Sequence, residues 1–460
     1  MIAIRGNTIV IPKPSQEIIA YCKQELTLPN PEYVKKARMG FWLGNTPKNI
    51  NLYSMKDGAA VLPYGCWDNV KAIAPDILEL RQFSPACAVN YGEPIPLYDY
   101  QERAVQAMYD RGNGILLSHT GSGKTRMALA LIKKLGLRTL WLTHTGELLR
   151  QSKSAAEEFY DKELLGTITE GKINIGSGIT FATVQTMSKI DIYAHAYTWN
   201  VIIVDECHRC AGSPTKLTMF SKVLNALAAQ YKIGLTATAH RADGLIRATY
   251  ALLGNITHEV SDEDIADKVM DARVIPIFTG VELHKSCLAT DGTRNHGKTI
   301  NYITQHIGRN QLIVDTMIQN KSVSSLVLSD RVEHLIQLME NLPDDMRDKA
   351  VIIHGGMTSK ADKAAREQAV VDMRSGEKLY LFATYALAKE GLDIPRLEKL
   401  YLTTPQKDKA VITQSVGRIV RVAEGKGVPT VYDFVDGMQF ALKMYKARCS
   451  IYRANRCEIL

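Results

Sequence analysis

The sequence predicts an α/β protein with two parallel-sheet domains in tandem, preceded by a small N-terminal α+β domain. Its 460 residues leave room for about three domains of roughly 150 residues each. From residue 96 onward, short apolar runs alternate with helix-like segments, a pattern typical of parallel sheets. A polar stretch without a clear period, 283–300, separates two such series.

Each domain is predicted from its own part of the pattern. Residues 1–95 form the N-terminal domain, since they are rich in Pro and Asn and have only short apolar runs. We assign 96–282 to the first parallel-sheet domain, 283–300 to a linker and 301–460 to the second domain. The predicted strands are 114–117, 139–143, 179–183, 201–205 and 233–238, then 325–329, 350–354, 379–384, 399–403 and 430–434. Helices are predicted between them, for example at 126–135 and 333–342.

Composition excludes several classes of protein. With 46% hydrophobic and 23% charged residues, most of the chain is globular rather than disordered. No apolar run approaches the ~18 residues of a membrane span, and the N-terminus lacks a signal-peptide pattern. Sparse cysteines without framework spacing fit a reducing compartment, so we expect a cytoplasmic protein. A formal net charge of +8 hints at a polyanionic partner.

The strongest local signal is a phosphate-binding loop, SHTGSGKT, at 118–125. It follows an apolar strand and precedes a helical segment, which is the context that such a loop requires. Glycines let backbone N–H groups surround a polyphosphate, the lysine can meet the β/γ-phosphates and the final hydroxyl can ligate Mg²⁺. The predicted ATP-binding residues of this loop are His119, Thr120, Gly121, Ser122, Gly123, Lys124 and Thr125. Ser118 stands where the pattern has its first glycine.

A second signal is an apolar strand that ends in two carboxylates, VIIVDECH, at 201–208. Asp205 is expected to hold Mg²⁺, and Glu206 is expected to orient and deprotonate the attacking water. The Cys-x-x-Cys spacing of Cys207 and Cys210 suggests zinc, but no second Cys/His pair stands at a zinc-finger distance. A magnesium and water site at Asp205 and Glu206 explains this segment better than a zinc site does.

With these two motifs in place, residues 97–436 resemble a superfamily 2 nucleic-acid helicase, because further motifs follow in the family's order. They are LYDYQ (97–101), WLTHTGELLRQ (141–151), FATVQTM (181–187), LTAT (235–238), LVLSDR (326–331), VIIHGGM (351–357), ATYALAKEGLDIP (383–395) and QSVGRIVR (414–421). The resemblance implies two RecA-like domains that clamp ATP and Mg²⁺ between two sheets.

The resemblance also implies roles for individual residues. Gln101 is expected to read the adenine, and Asp393 is expected to belong to the ATP site. Gln414, Arg418 and Arg421 are expected to act in catalysis from the second domain. Coupling of nucleotide to nucleic acid is expected from His208, Thr236 and Thr238. Sequence-independent contacts to the DNA backbone are expected from hydroxyls and backbone amides at or near Thr143, Thr183, Gln185, Thr186, Ser329 and Thr384.

Two segments point to a subgroup within the superfamily. GLTATAHRADG, 234–244, resembles the XPB and UvsW groups of DNA helicases. NPEYVKKARMGFWLG, 30–44, resembles phage helicases of the T5 type, which are thought to remodel branched DNA. Lys35, Lys36 and Arg38 are therefore expected to bind duplex or branched DNA. We expect a monomer that acts on single-stranded, forked and branched DNA in replication, recombination or repair, in the host cytoplasm if phage-encoded.

Two other functions stay open. The first is a motor subunit of a restriction or nuclease assembly that moves on duplex DNA without separating it; no segment is large enough for an obvious nuclease, which favours the helicase. The second is an RNA helicase, which the Asp-Glu-Cys-His box at 205–208 and the LTAT motif at 235–238 disfavour.

Overall fold

A computed structural model describes residues 1–119, 121–169, 171–211, 214–238, 245–261, 263–264, 270–357, 359–388 and 394–460. The chain divides into two compact units, Met1–Asp264 and Ile265–Leu460. Among the described residues, no helix is both long enough and apolar enough to cross a membrane.

The first unit begins with a small α+β domain, as the sequence predicts. Its strands are β1 (Ile2–Arg5), β2 (Thr8–Ile11), β3 (Thr27–Pro29), β4 (Asn49–Asn51), β5 (Ser54–Lys56), β6 (Ala59–Pro63) and β7 (Leu78–Arg81). Its helices are α1 (Gln16–Glu25), α2 (Pro31–Arg38) and α3 (Trp67–Ile73). Five strands form one sheet in the order β5-β6-β2-β1-β7, while β3 and β4 pair separately. Ile9, Ile18 and Val70 lie in its core.

This domain is joined to the rest of the first unit by buried contacts. The Lys232 ammonium donates to the carbonyl oxygens of Asn7 at 3.1 Å and Leu224 at 2.7 Å, and it lies 4.6 Å from the centre of the Tyr64 ring. The core of the small domain also includes Ala251, from a helix of the following domain. The two domains of this unit therefore share buried surface.

The second part of the first unit is an eight-stranded sheet, in the order β11-β10-β12-β9-β13-β14-β8-β15. Its strands are β8 (Asn113–Leu117), β9 (Thr139–Thr143), β10 (Leu165–Thr169), β11 (Lys172–Asn174), β12 (Ile179–Thr183), β13 (Val201–Val204), β14 (Tyr231–Thr236) and β15 (Ile256–Glu259). Its helices are α4 (Asp99–Arg111), α5 (Lys124–Leu135), α6 (Gly146–Glu157), α7 (Val184–Met187), α8 (Pro214–Ala226) and α9 (Ile246–Leu253). Only β11 is antiparallel to its neighbour.

The second unit contains a seven-stranded parallel sheet, in the order β18-β19-β17-β20-β21-β16-β22. Its strands are β16 (Ala272–Phe278), β17 (Ser325–Ser329), β18 (Ala350–Ile353), β19 (Tyr380–Thr384), β20 (Lys399–Leu402), β21 (Thr430–Val435) and β22 (Cys457–Ile459). Its helices are α10 (His296–Gln305), α11 (Ile307–Gln319), α12 (Val332–Glu340), α13 (Asp344–Arg347), α14 (Lys360–Ser375), α15 (Tyr385–Ala388), α16 (Lys409–Ile419) and α17 (Gln439–Ala454). Two parallel sheets in tandem confirm the predicted fold class.

The structure places the predicted domain boundaries differently. Residues 273–278 of strand β16 pair with β21, so 272–282 belongs to the second unit rather than to the first parallel-sheet domain. The predicted linker, 283–300, also lies inside the second unit, and α10 begins within it because the Asn295 side chain caps the helix. At the predicted boundary near residue 95, residues 84–89 already contact the domain with the eight-stranded sheet. The backbone N–H groups of Ser84 and Val89 donate to the carbonyl oxygens of Ala228 and Gly136.

Candidate ATP and nucleic-acid site

The predicted phosphate-binding loop connects β8 to α5. Gly121 and Gly123 have φ values of 92° and 85°, in the left-handed region that favours glycine. A Cβ added at Gly123 would lie only 2.5 Å from Gln101 Nε2, so a side chain there would displace the Gln101 amide. Lys124 and Thr125 then fall in the first turn of α5, where free backbone N–H groups and the helix dipole favour an anion.

The Lys124 ammonium lies over the loop. It donates to the carbonyl oxygens of Ser118 at 3.1 Å and His119 at 3.2 Å. The Ser122 hydroxyl donates to the same His119 carbonyl at 2.7 Å. These contacts hold the loop curled around its own lysine, a shape that suits a polyphosphate.

Gln101, the predicted adenine reader, is buried against this loop. Its Nε2 donates to the Ser122 carbonyl at 3.0 Å, and its Oε1 accepts from the Tyr98 backbone N–H at 3.1 Å. The Tyr100 hydroxyl donates to the same Ser122 carbonyl at 2.9 Å. The segment at 97–101 is therefore fastened to the loop, and Tyr98 remains more than half exposed beside it.

The predicted acidic pair follows β13, which lies between β9 and β14 in the middle of the sheet. Asp205 is buried and accepts from the Ser152 hydroxyl at 3.4 Å and the Glu206 backbone N–H at 2.9 Å. Burial and the neighbouring Glu206 carboxylate raise the pKa of Asp205. A buried carboxylate of this kind is an oxygen ligand that Mg²⁺ can use.

Glu206 is held in an unusual backbone conformation, with φ at 48°. A residue other than glycine in that region costs about 1–3 kcal/mol, and such strain concentrates at functional sites. Burial opposes ionisation, but the contact with His208 and the charge of Lys124 together lower the pKa of Glu206. Glu206 thus stays a carboxylate that can accept a proton.

The three residues predicted to couple nucleotide and nucleic acid are joined by hydrogen bonds, and His208 lies at ion-pair distance from Glu206. His208 Nδ1 lies 3.2 Å from Glu206 Oε2 and 2.9 Å from Thr236 Oγ1. The Thr236 hydroxyl donates to the Thr238 carbonyl at 3.1 Å and accepts from the Thr238 backbone N–H at 3.1 Å. These contacts connect the end of β13 to the end of β14.

A second connection was not predicted from the sequence. Arg209 Nη1 donates to His144 Nε2 at 2.6 Å, and Gln185 Nε2 donates to the His144 carbonyl at 2.7 Å. His144 therefore links the acidic segment after β13 to the motifs that follow β9 and β12. The signal in the sequence was the histidine in THT, 143–145, where the family usually has Pro-Thr.

The hydroxyl groups predicted to contact DNA divide into two classes. Thr143 and Ser329 are fully buried, and their hydroxyls bond within the protein: Thr143 donates to the Thr145 carbonyl at 3.0 Å, and Ser329 Oγ lies 2.9 Å from His334 Nδ1. Neither side chain reaches the surface, so a strand contact at these two positions would come from backbone amides, and it stays a prediction. Thr186 and Thr384 are partly exposed.

The buried Thr183 belongs with its neighbour Thr186. Its hydroxyl lies 2.9 Å from the Thr186 hydroxyl, and it accepts from the Thr186 backbone N–H at 3.4 Å. Both residues lie where β12 turns into α7, so any strand contact at this position would come through Thr186 and the backbone.

The basic residues predicted near the N-terminus lie on α2, a helix with no buried residue. Lys36 is engaged within the protein, because its ammonium lies 2.8 Å from Glu32 Oε1 and donates to the Thr46 hydroxyl at 2.8 Å. Lys35 and Arg38 border a surface groove of about 620 Å³. The expectation of a DNA contact therefore rests on Lys35 and Arg38 more than on Lys36.

The predicted catalytic residues of the second unit lie on or just after α16. Gln414 and Arg418 are buried on the helix, and Arg421 follows its end. Burial, together with the nearby charge of Arg374, lowers the pKa of the Arg421 guanidinium. Thr120 of the loop and Asp393 lie outside the described residues.

The residues present fit ATP with a magnesium ion. The loop glycines leave space for phosphates, Lys124 supplies a positive charge there, and the Thr125 hydroxyl and Asp205 carboxylate are the oxygen donors that Mg²⁺ prefers. The Cys207 and Cys210 side chains lie in the hydrophobic core below this site, and burial raises the pKa of both thiols.

Two family descriptions match the chain. Residues 94–241 match the family described as "Type III restriction enzyme, res subunit", and residues 308–423 match "Helicase conserved C-terminal domain". The first covers the loop and the acidic pair, and the second covers Gln414, Arg418 and Arg421.

Three curated proteins are similar over most of this chain. The first is a protein of Acanthamoeba polyphaga mimivirus whose name contains "ATP-dependent RNA helicase L396". It is 27% identical, and the aligned region spans 73% of this chain and 62% of the mimivirus protein. One from Escherichia phage T5, whose name contains "helicase D10", is 26% identical over 84% of this chain and 81% of its own length. The Sulfurisphaera tokodaii "DNA 3'-5' translocase XPB2" is 24% identical over 72% of this chain and 79% of its own length.

Two solved structures share the fold at low sequence identity. The Type ISP restriction-modification enzyme LlaBIII bound to DNA has a TM-score of 0.57 at 15% identity, covering 80% of this chain and 31% of that chain. S. cerevisiae Dbp5 bound to RNA and ADP BeF3 has a TM-score of 0.55 at 16% identity, covering 79% and 89%.

Both family matches, in this order and on these motifs, confirm the predicted resemblance. The two matches indicate a superfamily 2 helicase, and the chain resembles the phage T5 helicase and the XPB proteins. A match to these helicase families implies use of ATP and binding of nucleic acid.

Proposed function

We propose that this protein is an ATP-dependent DNA helicase or translocase that unwinds or remodels forked and branched DNA in replication, recombination or repair. One observation carries the proposal: the row of contacts in which His208 lies 3.2 Å from Glu206 and is linked by hydrogen bonds to Thr236 and Thr238. It connects the carboxylate best placed for ATP hydrolysis to the end of the neighbouring strand. A change at either end is therefore transmitted to the other, as a motor requires.

In the ATP site, each residue of the first unit has a separate task. Lys124 neutralises the terminal phosphates, and Thr125 and Asp205 would hold the magnesium ion that balances phosphate charge. Glu206 orients the attacking water and accepts its proton. Its lowered pKa keeps it ionised for that task at neutral pH.

The second unit contributes the positive charge that hydrolysis needs. Arg418 and Arg421 stabilise negative charge on the phosphoryl group in the transition state, and Gln414 helps to position the reacting groups. Arg418 is buried and Arg421 is partly buried, which favours this role because a desolvated guanidinium interacts strongly with a phosphate.

DNA is proposed over RNA for two reasons. The T5 and archaeal relatives belong to groups that the sequence motifs at 30–44 and 234–244 already resemble, and the archaeal protein is named as a DNA translocase. The predicted strand contacts come from hydroxyl and backbone groups near Thr186 and Thr384, which contact phosphates without reading bases. Binding of DNA should therefore be independent of base sequence. We also propose that the protein acts as a monomer.

The duplex translocase is the second candidate, and a specific observation favours it. Residues 94–241 match a family named after a restriction-enzyme subunit, and LlaBIII shares the fold. The third candidate, an RNA helicase, is supported by the name of the mimivirus relative.

One experiment separates the three candidates. ATP turnover and product formation should be measured on single-stranded, duplex, forked and four-way-junction DNA, and on the matching RNA substrates. The proposal expects ATP-dependent strand separation or branch movement on forked and junction DNA. Displacement of a third strand from duplex without strand separation would instead establish the translocase, and activity confined to RNA would establish the RNA helicase.

A further inference from the structure

We propose that the loop formed by residues 39–48, called here the Trp42 loop, is a single-strand binding element in which the Trp42 indole stacks on an unpaired base. Lys35 and Arg38 contact the phosphates beside that base. The inference rests on the proposed function for its DNA substrate, and it assigns a base-contacting residue to the N-terminal domain.

Trp42 is exceptional in its exposure. It is 89% exposed, whereas Trp67, Trp141 and Trp199 are at most 7% exposed. Phe41, beside it, is 61% exposed. Large aromatic side chains at the surface mark interaction sites when they cluster with other apolar groups.

The indole is nevertheless supported from one side. A Cβ added at Gly44 would lie 3.0, 3.2 and 3.3 Å from three successive carbons of the Trp42 benzene ring. Nearly equal distances mean that Gly44 lies over the flat face of the ring rather than at its edge. Gly44 has a φ of 49°, which favours glycine, so the loop brings bare backbone against one face and leaves most of the indole exposed.

The loop itself is tied at both ends. The Phe41 backbone N–H donates to the Lys36 carbonyl at 2.9 Å, and the Lys36 ammonium donates to the Thr46 hydroxyl at 2.8 Å. The Asn30 side chain donates to the Pro47 carbonyl at 2.9 Å. These hydrogen bonds order the Trp42 loop before binding, so it loses less conformational entropy when a base stacks on the indole.

Positively charged side chains lie next to the Trp42 loop. Lys35, Lys36 and Arg38 all lie in the last turn of α2, and only Lys36 of the three has its salt bridge to Glu32. Lys35 and Arg38 line the groove of about 620 Å³ together with Pro29, Pro31, Val34 and Met39. Exposed aromatic surface next to cations fits a nucleic-acid strand, which offers a π-face and a phosphate at every nucleotide. An apolar protein partner would have no use for the cations.

The position of the element suggests its use. It belongs to the small N-terminal domain, which shares buried surface with the ATP-binding domain of the same unit. A base held by Trp42 is therefore held against the same unit that carries Lys124 and Glu206. Movement of the strand along the motor would then pull bases past a fixed stacking point, which favours separation at a fork.

Intrinsic fluorescence of the full-length protein tests the stacking directly, because Trp42 is its one exposed tryptophan. A 20-nucleotide oligo(dT) and an abasic strand of the same length are titrated at low salt without ATP. Oligo(dT) should quench the exposed component of the emission, and the abasic strand should not. Trp42→Ala should bind oligo(dT) about 10-fold more weakly, since stacking contributes ~1–3 kcal/mol per base. Because this variant has lost the exposed indole, the affinities of all variants are measured by the fluorescence anisotropy of an end-labelled oligo(dT).

Three variants control the measurement. Trp42→Phe should keep most of the affinity, because it retains a stacking ring. Gly44→Ala should give an intermediate loss, because the added methyl group displaces the indole without removing it. Tyr193→Ala, which removes another exposed aromatic of the same unit, should bind as the wild type does. Thermal melting confirms that each variant is folded.

Equal quenching by both strands, or unchanged affinity in Trp42→Ala, would overturn the inference. So would a monomer–dimer equilibrium that Trp42→Ala abolishes, because the loop would then be a contact between copies. This binding assay needs no ATP hydrolysis. Base-dependent quenching in a wild type that fails to process forks would refute the proposed function and leave the inference standing.

Discussion

Each parallel sheet has two buried carboxylates on or just after a central strand. The two pairs differ in their hydrogen-bond and ion-pair partners. Asp205 and Glu206 follow β13, whereas Asp433 and Asp436 lie on and just after β21. All four side chains are largely or fully buried. Residue type and burial therefore do not distinguish the pairs, but their partners do.

The pair in the second sheet is neutralised by arginine. Arg448 donates to Asp433 from Nε at 2.8 Å and from Nη2 at 2.7 Å, and the Tyr452 hydroxyl donates at 2.7 Å. Arg309 donates to Asp436 from Nε at 2.7 Å. Hydrogen bonds of this kind saturate a carboxylate and fix it in place.

The pair in the first sheet has weaker partners. Asp205 accepts from the Ser152 hydroxyl at 3.4 Å and from the Glu206 backbone N–H at 2.9 Å, and His208 lies 3.2 Å from Glu206. Glu206 Oε2 has no hydrogen-bond donor among the described residues, so it can accept a hydrogen bond from a water. The comparison teaches that a saturated buried carboxylate is structural, whereas an unsaturated one next to a phosphate loop is a candidate for chemistry.

The largest effect on the first sheet is expected from Lys124→Ala. It removes the ammonium that neutralises the terminal phosphates, so ATP turnover should fall more than about 100-fold. Steady-state ATPase with single-stranded DNA measures this. Lys134→Ala, on the same helix but outside the loop, should keep the parental rate, and a normal rate in folded Lys124→Ala would refute the assignment of the loop.

Arg418→Ala and Arg421→Ala should reduce hydrolysis by roughly 10³-fold while changing nucleotide affinity much less, because they act on the transition state. Fluorescent-nucleotide titration and single-turnover hydrolysis separate the two quantities. Arg453→Ala, an exposed arginine of the same unit, is the matched control. Parallel losses of affinity and rate would instead make these arginines ground-state binders.

The comparison predicts that Asp433→Asn acts on stability. Removing one charge of the buried pair with Arg448 leaves the other uncompensated, so the free energy of unfolding should fall by about 3–5 kcal/mol. Denaturant unfolding measures it. Asp345→Asn, at an exposed ion pair with Lys321, should cost at most about 1 kcal/mol. Equal costs at the two positions would remove the distinction on which the comparison depends.

A further effect on stability concerns Lys232, where the two domains of the first unit meet. Burial, with the nearby Arg5 charge, lowers the pKa of Lys232 to about 7. Above that pH the folded protein holds a neutral amine, while the unfolded chain stays protonated up to about pH 10.4. The free energy of unfolding should therefore rise with pH between about 7 and 10.

Lys232→Met should flatten this rise, as measured by denaturant unfolding at several pH values. The other titratable group against the amine, Tyr64, has its pKa raised to about 12 by burial and stays neutral over this range. An unchanged pH profile in Lys232→Met would show that Lys232 is charged in the folded protein.

Much of the fold could be predicted because the central strands are continuous apolar runs. β9, β12 and β17 have the predicted bounds. The strands without a prediction, among them β10, β15 and β22, lie at or near sheet edges, where alternation with polar residues weakens the signal. β16 was assigned to the wrong domain, since Pro276 interrupts its pattern and its pairing with β21 spans more than 150 residues.

The parts of the candidate site that could be predicted are those whose residues are close together in the sequence. The loop at 118–125 and the Asp-Glu pair are contiguous motifs with a mechanism attached to them. The bond between Arg209 and His144 joins residues 65 positions apart, which no local pattern reveals. The sequence also locates a strand end without giving side-chain direction, which is why the burial of Thr143 and Ser329 could not be predicted.

The most direct test of the central claim, that the unsaturated pair in the first sheet performs the chemistry, is single-turnover ATP hydrolysis by Glu206→Gln in the presence of DNA. The amide keeps the shape of the side chain and loses the base. The account predicts parental ATP affinity, parental stability and hydrolysis slower by about 10²–10⁴-fold. Hydrolysis within a few-fold of the parent would contradict it.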